Sequence, residues 1–359
     1  MRIRFITSTP LEVSRGSGTF VGISTLANSL RVRGAEIDFV VPSFQLPIYT
    51  LQRLIFNQSL RFRRLPPTDV TVGFDMDGYT LSRRATGLHV ASIKGVIADE
   101  MRFESGLTHA TMRIQAACEQ IHVRTATAVF TTSQYSAQRI QSLYGIPVPP
   151  HIVPELIDLA AWNQLVQSTT PPPPSKKFVV LCVCRFYPRK RLHLLLLAAA
   201  RLRTRIPELE IRIVGGGPEF PRLKQICRDE NLGNIVTWRE NISQPELIQE
   251  YQRCQVFCLP SVQEGFGIVF LEAMASSKPI VAARAAAVPE VVKHGLLADP
   301  ENDESLAAAI EQLYRDPTLR DSLAAAGREV VKQFDAPQVS AMFLRQLESL
   351  IESKQNRLS

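Results

Sequence analysis

The sequence predicts two open α/β domains in tandem, facing each other across a cleft. Three observations carry this. Short apolar runs alternate with amphipathic stretches along the whole chain, which is the pattern of βα repetition and of parallel sheets covered on both faces. Four consecutive prolines, 171–174, interrupt the alternation midway. The length of 359 residues exceeds the roughly 250 beyond which a single core tends to split.

In the first half, strand-like runs at 3–7, 37–41, 88–93 and 127–131 alternate with helical spacing near 19–32, 107–122 and 134–143. The stretch 42–68 is less regular. It sets Arg53, Arg61, Arg63 and Arg64 among Tyr49, Leu51, Leu54, Ile55, Phe56, Leu60 and Phe62, with no acidic residue. Such a segment either lies on an anionic lipid surface or lines a substrate entrance, or is an ordinary solvated loop and helix. The prolines cannot continue a helix or a central strand, so they read as a linker at 171–174 between a domain at 1–170 and a second at 175–335. There, strands at 178–184, 209–214, 235–237, 256–259 and 279–282 alternate with helices at 191–205, 219–230, 244–252 and 266–276. Helices follow at 303–313, 319–332 and 337–352. The last, within a terminal segment 336–359, carries Met342, Phe343, Leu347 and Leu350 as an apolar stripe suited to packing back on the first domain.

Composition narrows the function classes. With 45% hydrophobic and 21% charged residues the chain is an ordinary globular protein. A net charge of +7 suits a nucleic acid, an acidic membrane or a phosphorylated substrate alike, and both halves are net positive. No regular array of aromatic and basic residues and no reading helix supports nucleic acid. The six cysteines show no zinc spacing and no disulfide framework, so buried free thiols in a reducing cytoplasm are expected. The N-terminus enters a strand directly, without an apolar leader, and no apolar run is long enough to span a bilayer. The expected location is the cytoplasm, either free or peripheral on the cytoplasmic face of the membrane.

Chemistry concentrates at strand ends of the second domain. Arg185 follows the strand and Lys190 stands five positions on, near the next helix start, where cations and free N–H groups favour an anion such as a diphosphate. Arg201, Arg203 and Arg205, further along, read as a solvated basic helix face. Gly215-Gly216-Gly217-Pro218 joins a strand to a helix; Gly216 is the candidate for close approach to a ligand, and a merely tight turn is the alternative. The most informative stretch is Glu264-Gly265-Phe266-Gly267-Ile268 with Glu272 eight positions after Glu264. A carboxylate offers only acceptors and takes two hydroxyls at once, so Glu264 suits a sugar and Glu272 a ribose diol, while N–H groups at the helix start meet phosphate. Taken without context, two glutamates at this spacing are equally compatible with a structural role.

These motifs together resemble family 4 of the retaining nucleotide-sugar glycosyltransferases, which have the GT-B architecture of two Rossmann-like domains. The resemblance runs from Arg185 and Lys190 through Gly215–Pro218 and Glu264 to Glu272, and on to Pro289-Glu290-Val291-Val292 before Gly295. It implies a metal-independent hexosyltransferase that moves a sugar from a UDP or GDP donor to an acceptor hydroxyl, in glycolipid or polysaccharide synthesis. Arg185 and Lys190 would grip the diphosphate, Glu264 would support the donor sugar, Glu272 would bind the ribose, and Gly265, Phe266, Gly267 and Ile268 would line the donor. No cofactor is expected. More loosely, Gly16 and Gly18 after the first strand stand where the family approaches the donor phosphate or the acceptor, and Ser133 is either a site residue or a helix N-cap.

The departures touch the sugar and acceptor subsites more than the diphosphate grip. Lys94 replaces a common histidine and Glu155-Leu156 a common Asn-Gly; Ala286-Ala287 replaces Gly-Gly, and Cys184 a glycine. A cationic Lys94 counts as catalytic if it meets the donor phosphate or an acidic acceptor; Asp99 and Glu100 lie nearby in sequence. Asp75-Met76-Asp77 is either a metal site or an acceptor-side polar loop. Two rival functions stay open: a GT-B phosphorylase or epimerase, and a non-catalytic nucleotide or sugar binding module.

Overall fold

The structure is a computed structural model and describes residues 1–9, 18–83 and 87–356. It divides into two compact units, one of 1–156 with 336–359 and one of 157–335.

The first unit runs β1 (Arg2–Ile6), α1 (Gly18–Val32), β2 (Glu36–Val40), α2 (Tyr49–Ser59), β3 (Val70–Phe74), β4 (Leu88–Ile93), α3 (Ile97–Glu100), α4 (Gly106–Thr125), β5 (Ala128–Thr131), α5 (Gln134–Tyr144) and β6 (His151–Ile152). The second has α6 (Leu159–Ser168), β7 (Phe178–Val183), α7 (Leu192–Leu202), β8 (Leu209–Val214), α8 (Phe220–Asp229), β9 (Val236–Arg239), α9 (Gln244–Arg253), β10 (Val256–Leu259), α10 (Ile268–Ala275), β11 (Ile280–Ala283), α11 (Val288–Val291), β12 (Leu296–Ala298), α12 (Asp303–Arg315) and α13 (Pro317–Val331). The chain then rejoins the first unit in α14 (Ala336–Gln355).

Each unit is a six-stranded sheet, ordered β2-β1-β3-β4-β5-β6 and β12-β11-β10-β7-β8-β9, with every strand pair parallel. Parallel strands are covered by helices on both faces, which is why they read as unbroken apolar runs: β3, β4, β10 and β11 are buried along their whole length. The connections start at strand carboxyl ends, and in such sheets ligands bind outside those ends.

The units part at 156/157, not at the prolines. α6 belongs to the second unit: its Asp158 caps the helix through Ala161 N at 2.9 Å, and buried Trp162 meets the Tyr251 ring edge-on while its Nε1 donates to Ser276 Oγ at 3.1 Å. The proline run is a surface connection inside that unit. In the first unit, α14 packs on α1: Ala336, Val339, Phe343 and Leu347 share a core with Ile23, Leu26, Ala27 and Leu30, and Ser340 Oγ lies 2.8 Å from Ser29 Oγ.

All six cysteines are free thiols, five of them buried. No helix among the described residues is long and apolar enough to cross a membrane.

Candidate active site

The second unit's site begins with β7. Its carboxyl end delivers Cys184 and Arg185 into an irregular stretch, and a single 3-10 turn, Pro188–Lys190, follows before α7. Lys190 is thus placed ahead of the helix rather than on it. Its buried ammonium pairs with Glu264 Oε1, which also accepts from Ser261 Oγ at 3.0 Å. Glu264 sits in the loop after β10, so the pair ties the ends of adjacent strands β7 and β10 together. The second oxygen of Glu264 has no partner among the described residues. Arg185 is exposed, and its guanidinium makes no ion pair or hydrogen bond among them either.

The glycines divide by geometry. Gly215 and Gly217 have φ of 132° and 158°, and a Cβ on them would stand 2.0 Å from Cys184 O and 2.7 Å from Phe186 N. They are glycine because the β8 turn lies against the Arg185–Phe186 backbone. Gly216, the predicted ligand contact, would place a Cβ no closer than 3.8 Å to anything, so steric necessity attaches to its neighbours instead; its carbonyl accepts from Phe186 N at 3.0 Å. Gly267 caps α10 in the left-handed region at φ 90°, where only glycine is at ease. It opens the helix so that Ile268 begins it. Gly265 is half-buried. Phe266 departs from expectation: its ring is buried against Phe334, centroids 5.3 Å apart and edge-on, so the side chain serves the core and only its backbone faces the loop.

Glu272 lies one turn into α10. Buried Tyr251 donates to its Oε2 at 2.8 Å. Burial raises the Glu272 carboxyl to about 7, and the tyrosine hydrogen bond opposes that rise. The group therefore changes charge near neutrality. The more distant arginines are occupied elsewhere, Arg201 with Asp303 and Arg205 with Glu311.

In the first unit, Lys94 lies at the end of β4. Its Nζ bonds Glu155 Oε2 at 3.1 Å, with both side chains 6% exposed. Two of the four departures from the resembled pattern are thus partners. Asp99 does not join them; Arg102 Nη1 donates to it at 2.9 Å and Tyr135 Oη at 2.6 Å, and Arg139 pairs with it as well. Ser133 is the N-cap of α5, accepting from Ser136 N at 3.1 Å. Asp77 is spent on Ser8, Asn57 and Arg53, and among the described residues no three His, Cys, Asp or Glu side chains are grouped to hold a metal. Gly18 opens α1; Gly16 lies outside the described residues.

Residues 166–330, a little under half of the chain, match the family model described as glycosyl transferases group 1. Over the whole chain, the solved structure of sucrose-phosphate synthase from Thermosynechococcus elongatus superposes with a TM-score of 0.82, at 19% identity, covering 98% of this chain and 99% of that one. The fold is GT-B. HepE of Anabaena in complex with UDP-glucose has the same fold, with a TM-score of 0.74 at 20% identity, covering 97% of this chain and 100% of its own. Among curated proteins, the GDP-mannose-dependent alpha-(1-6)-phosphatidylinositol monomannoside mannosyltransferase of Mycolicibacterium smegmatis is 29% identical over 56% of this chain and 57% of its own length. The Arabidopsis thaliana sulfoquinovosyl transferase SQD2 is 31% identical over 45% of this chain and 31% of its own. The chain spans little more than half the length of the first of these. The GT-B fold accounts for the two sheets; Arg185, Lys190, Glu264 and Glu272 all fall inside the matched 166–330 segment.

Sequence reasoning missed two partners in the second unit, Ser261 and Tyr251, and in the first unit the pairing of Glu155 with Lys94. Glu155 is a departure from the resembled pattern, and Ser261 lies just after β10, but nothing in their spacing tells which side chain they meet. Tyr251 is on an amphipathic helix, where an aromatic ordinarily signals core.

Proposed function

We propose that this chain is a glycosyltransferase that moves a sugar, with retention, from a nucleotide-diphosphate donor to an acceptor hydroxyl. The observation that carries it is the strand-end group of the second unit: unpaired Arg185 beside the Lys190–Glu264 pair, with the start of α10 following. Arg185 and Lys190 hold the diphosphate and stabilise charge gathering on the leaving phosphate, the principal requirement of such a transfer. Glu264, with one oxygen engaged by Lys190 and Ser261, offers the other to hydroxyls of the donor sugar. Glu272 takes the ribose diol. The reaction needs no metal in this reading, and the donor is of UDP or GDP type.

The acceptor belongs to glycolipid or polysaccharide synthesis, and the first unit rests on an anionic membrane surface, cytoplasmic in location. Supporting this, exposed apolar side chains gather on two helices that pack together through Gln115 Nε2 and Thr50 Oγ1 at 2.8 Å: Ile48, Tyr49, Leu51, Ile55 and Phe62 on and beside α2, and Leu107, Ile114 and Ile121 on α4. Phe62 is 87% exposed and Leu107 80%. Arg61, Arg64 and Arg113 are exposed around them, residues 42–68 hold no acid, and the α4 carboxylate Glu119 is buried. Arg53 drops out of that basic face, being buried against Asp77.

Thermal unfolding followed with UDP, GDP, ADP or inorganic phosphate tests the donor. A nucleoside diphosphate raises the melting temperature; stabilisation by phosphate alone defeats the reading in favour of a phosphorylase. Incubation with UDP- and GDP-sugars then separates an enzyme from a binding module by released nucleotide.

A further inference from the structure

β3 ends in a turn that places one carboxylate at the carboxyl edge of the first sheet. Asp75 has φ 53°, a left-handed conformation that only glycine and, as single residues, asparagine and aspartate visit readily. The surroundings impose it. Asp75 N donates to Ser92 O at 3.0 Å, and Asp75 O accepts from His122 Nδ1 at 2.6 Å. Since a carbonyl only accepts, Nδ1 carries the proton, and His122 Nε2 accepts from His89 Nε2 at 2.9 Å. Gly73 lets the turn close: a Cβ there would stand 2.0 Å from Asp77 O and 2.6 Å from His122 Cε1. The carboxylate itself is anchored through one oxygen, Oδ1, by the Lys94 amide at 2.8 Å. Oδ2 has no hydrogen-bond partner among the described residues, and it is not among their buried unpartnered atoms.

The charges beside Asp75 are already balanced. Arg53 is matched by Asp77 and Lys94 by Glu155, so among the described residues no cation forms an ion pair with Asp75. We propose that Asp75 Oδ2 receives a hydroxyl of the acceptor, and that the acceptor presents there an uncharged polyol, such as a sugar ring or inositol, rather than a phosphate or carboxylate. This rests on the glycosyltransferase reading and names the acceptor class within it. A carboxylate oxygen is matched to a hydroxyl donor, whereas an anion brought beside it finds no free cation among the described residues. Burial raises the Asp75 carboxyl to about 6, with Asp77 and Glu100 adding to burial and Arg53 and the Lys94 amide opposing it; the group is ionised at neutral pH and able to accept.

The test uses the full chain with UDP or GDP and its sugar donor. Methyl α-mannoside, methyl α-glucoside and myo-inositol are compared with mannose 6-phosphate, glucose 6-phosphate and myo-inositol 1-phosphate, by saturation-transfer NMR and acceptor-dependent nucleotide release. Wild type should favour at least one neutral polyol over its phosphate by tenfold or more. Asp75→Asn and Asp75→Gly, both at ease at this φ, should weaken that polyol by tenfold or more while calorimetry finds nucleoside diphosphate affinity within twofold. Preference for the phosphorylated partner, no polyol bound by wild type, or equal polyol affinity in the variants overturns the inference. Failure of wild type to bind any nucleoside diphosphate is read separately and overturns the function itself.

Discussion

In the first unit Lys94 is paired with Glu155 and Arg53 with Asp77; in the second, Lys190 is paired with Glu264, while Arg185 has no partner among the described residues. The sheets are of one kind, six parallel strands each. The difference lies in what is left unpaired among the described residues: Asp75 Oδ2 in the first, and in the second a guanidinium, that of Arg185, beside the free oxygen of Glu264. In the reading proposed above, Asp75 receives hydroxyls and Arg185 phosphate, so one architecture, used twice, would serve two ligand chemistries.

The contrast can be broken from the second unit first. Arg185→Ala should raise the dissociation constant of the nucleoside diphosphate by about one to three orders of magnitude, the loss of a charge-assisted bond, as read by calorimetry on a folded variant. Glu264→Ala should leave that constant much less changed while transfer falls steeply, so both quantities have to be measured together. Equal losses in the two would merge roles that the geometry separates.

Next in size is the pair in the first unit. Lys94→Met strands Glu155 in a buried position and should cost about 3–5 kcal/mol of stability, whereas Lys94→Met combined with Glu155→Leu should cost less than either change alone. Denaturant unfolding of the four proteins closes the cycle. If the double variant is the least stable, Lys94 and Glu155 act independently and the comparison between units loses half its basis.

The smallest effect belongs to Glu272. Its folded-state value of about 7 lies above the ordinary 4.5, so its contribution to stability is present in acid and is lost as pH rises through about 7. Glu272→Gln, which cannot ionise, should therefore gain melting temperature relative to wild type at pH 8 more than at pH 5. The preference for UDP over its 2′-deoxy analogue should shrink in the variant, and in wild type should weaken as pH falls from 8 to 6.

Most strands were legible because buried parallel strands are apolar runs: 88–93, 209–214 and 256–259 coincide with β4, β8 and β10. β6 and β12, two and three residues long, carry too little pattern to be read. α6 had its signals, Asp158 as cap and Leu159, Trp162 and Leu165 at helical spacing, but four prolines downstream drew the boundary past it. Proline marks where a helix or central strand must stop, not where contacts between cores are few. In the site, residue types at strand ends were readable from order alone. Pairing was not: Lys94 and Glu155 are far apart in sequence and meet because β4, β5 and β6 lie side by side. The Phe266 contact was hidden for the same reason, since its partner Phe334 is brought in from beyond α13.

The return of α14 to the first unit also sets an order of events during synthesis. The apolar face of α1, with Ile23, Leu26, Ala27 and Leu30, is covered by Val339, Phe343 and Leu347, which the ribosome makes only after the whole of 157–335. At translation speeds of about 5–20 residues per second that delay is roughly 10 to 40 s. The first unit to begin is therefore the last to be finished, and for that interval the nascent chain carries an open apolar helix face for a chaperone to hold.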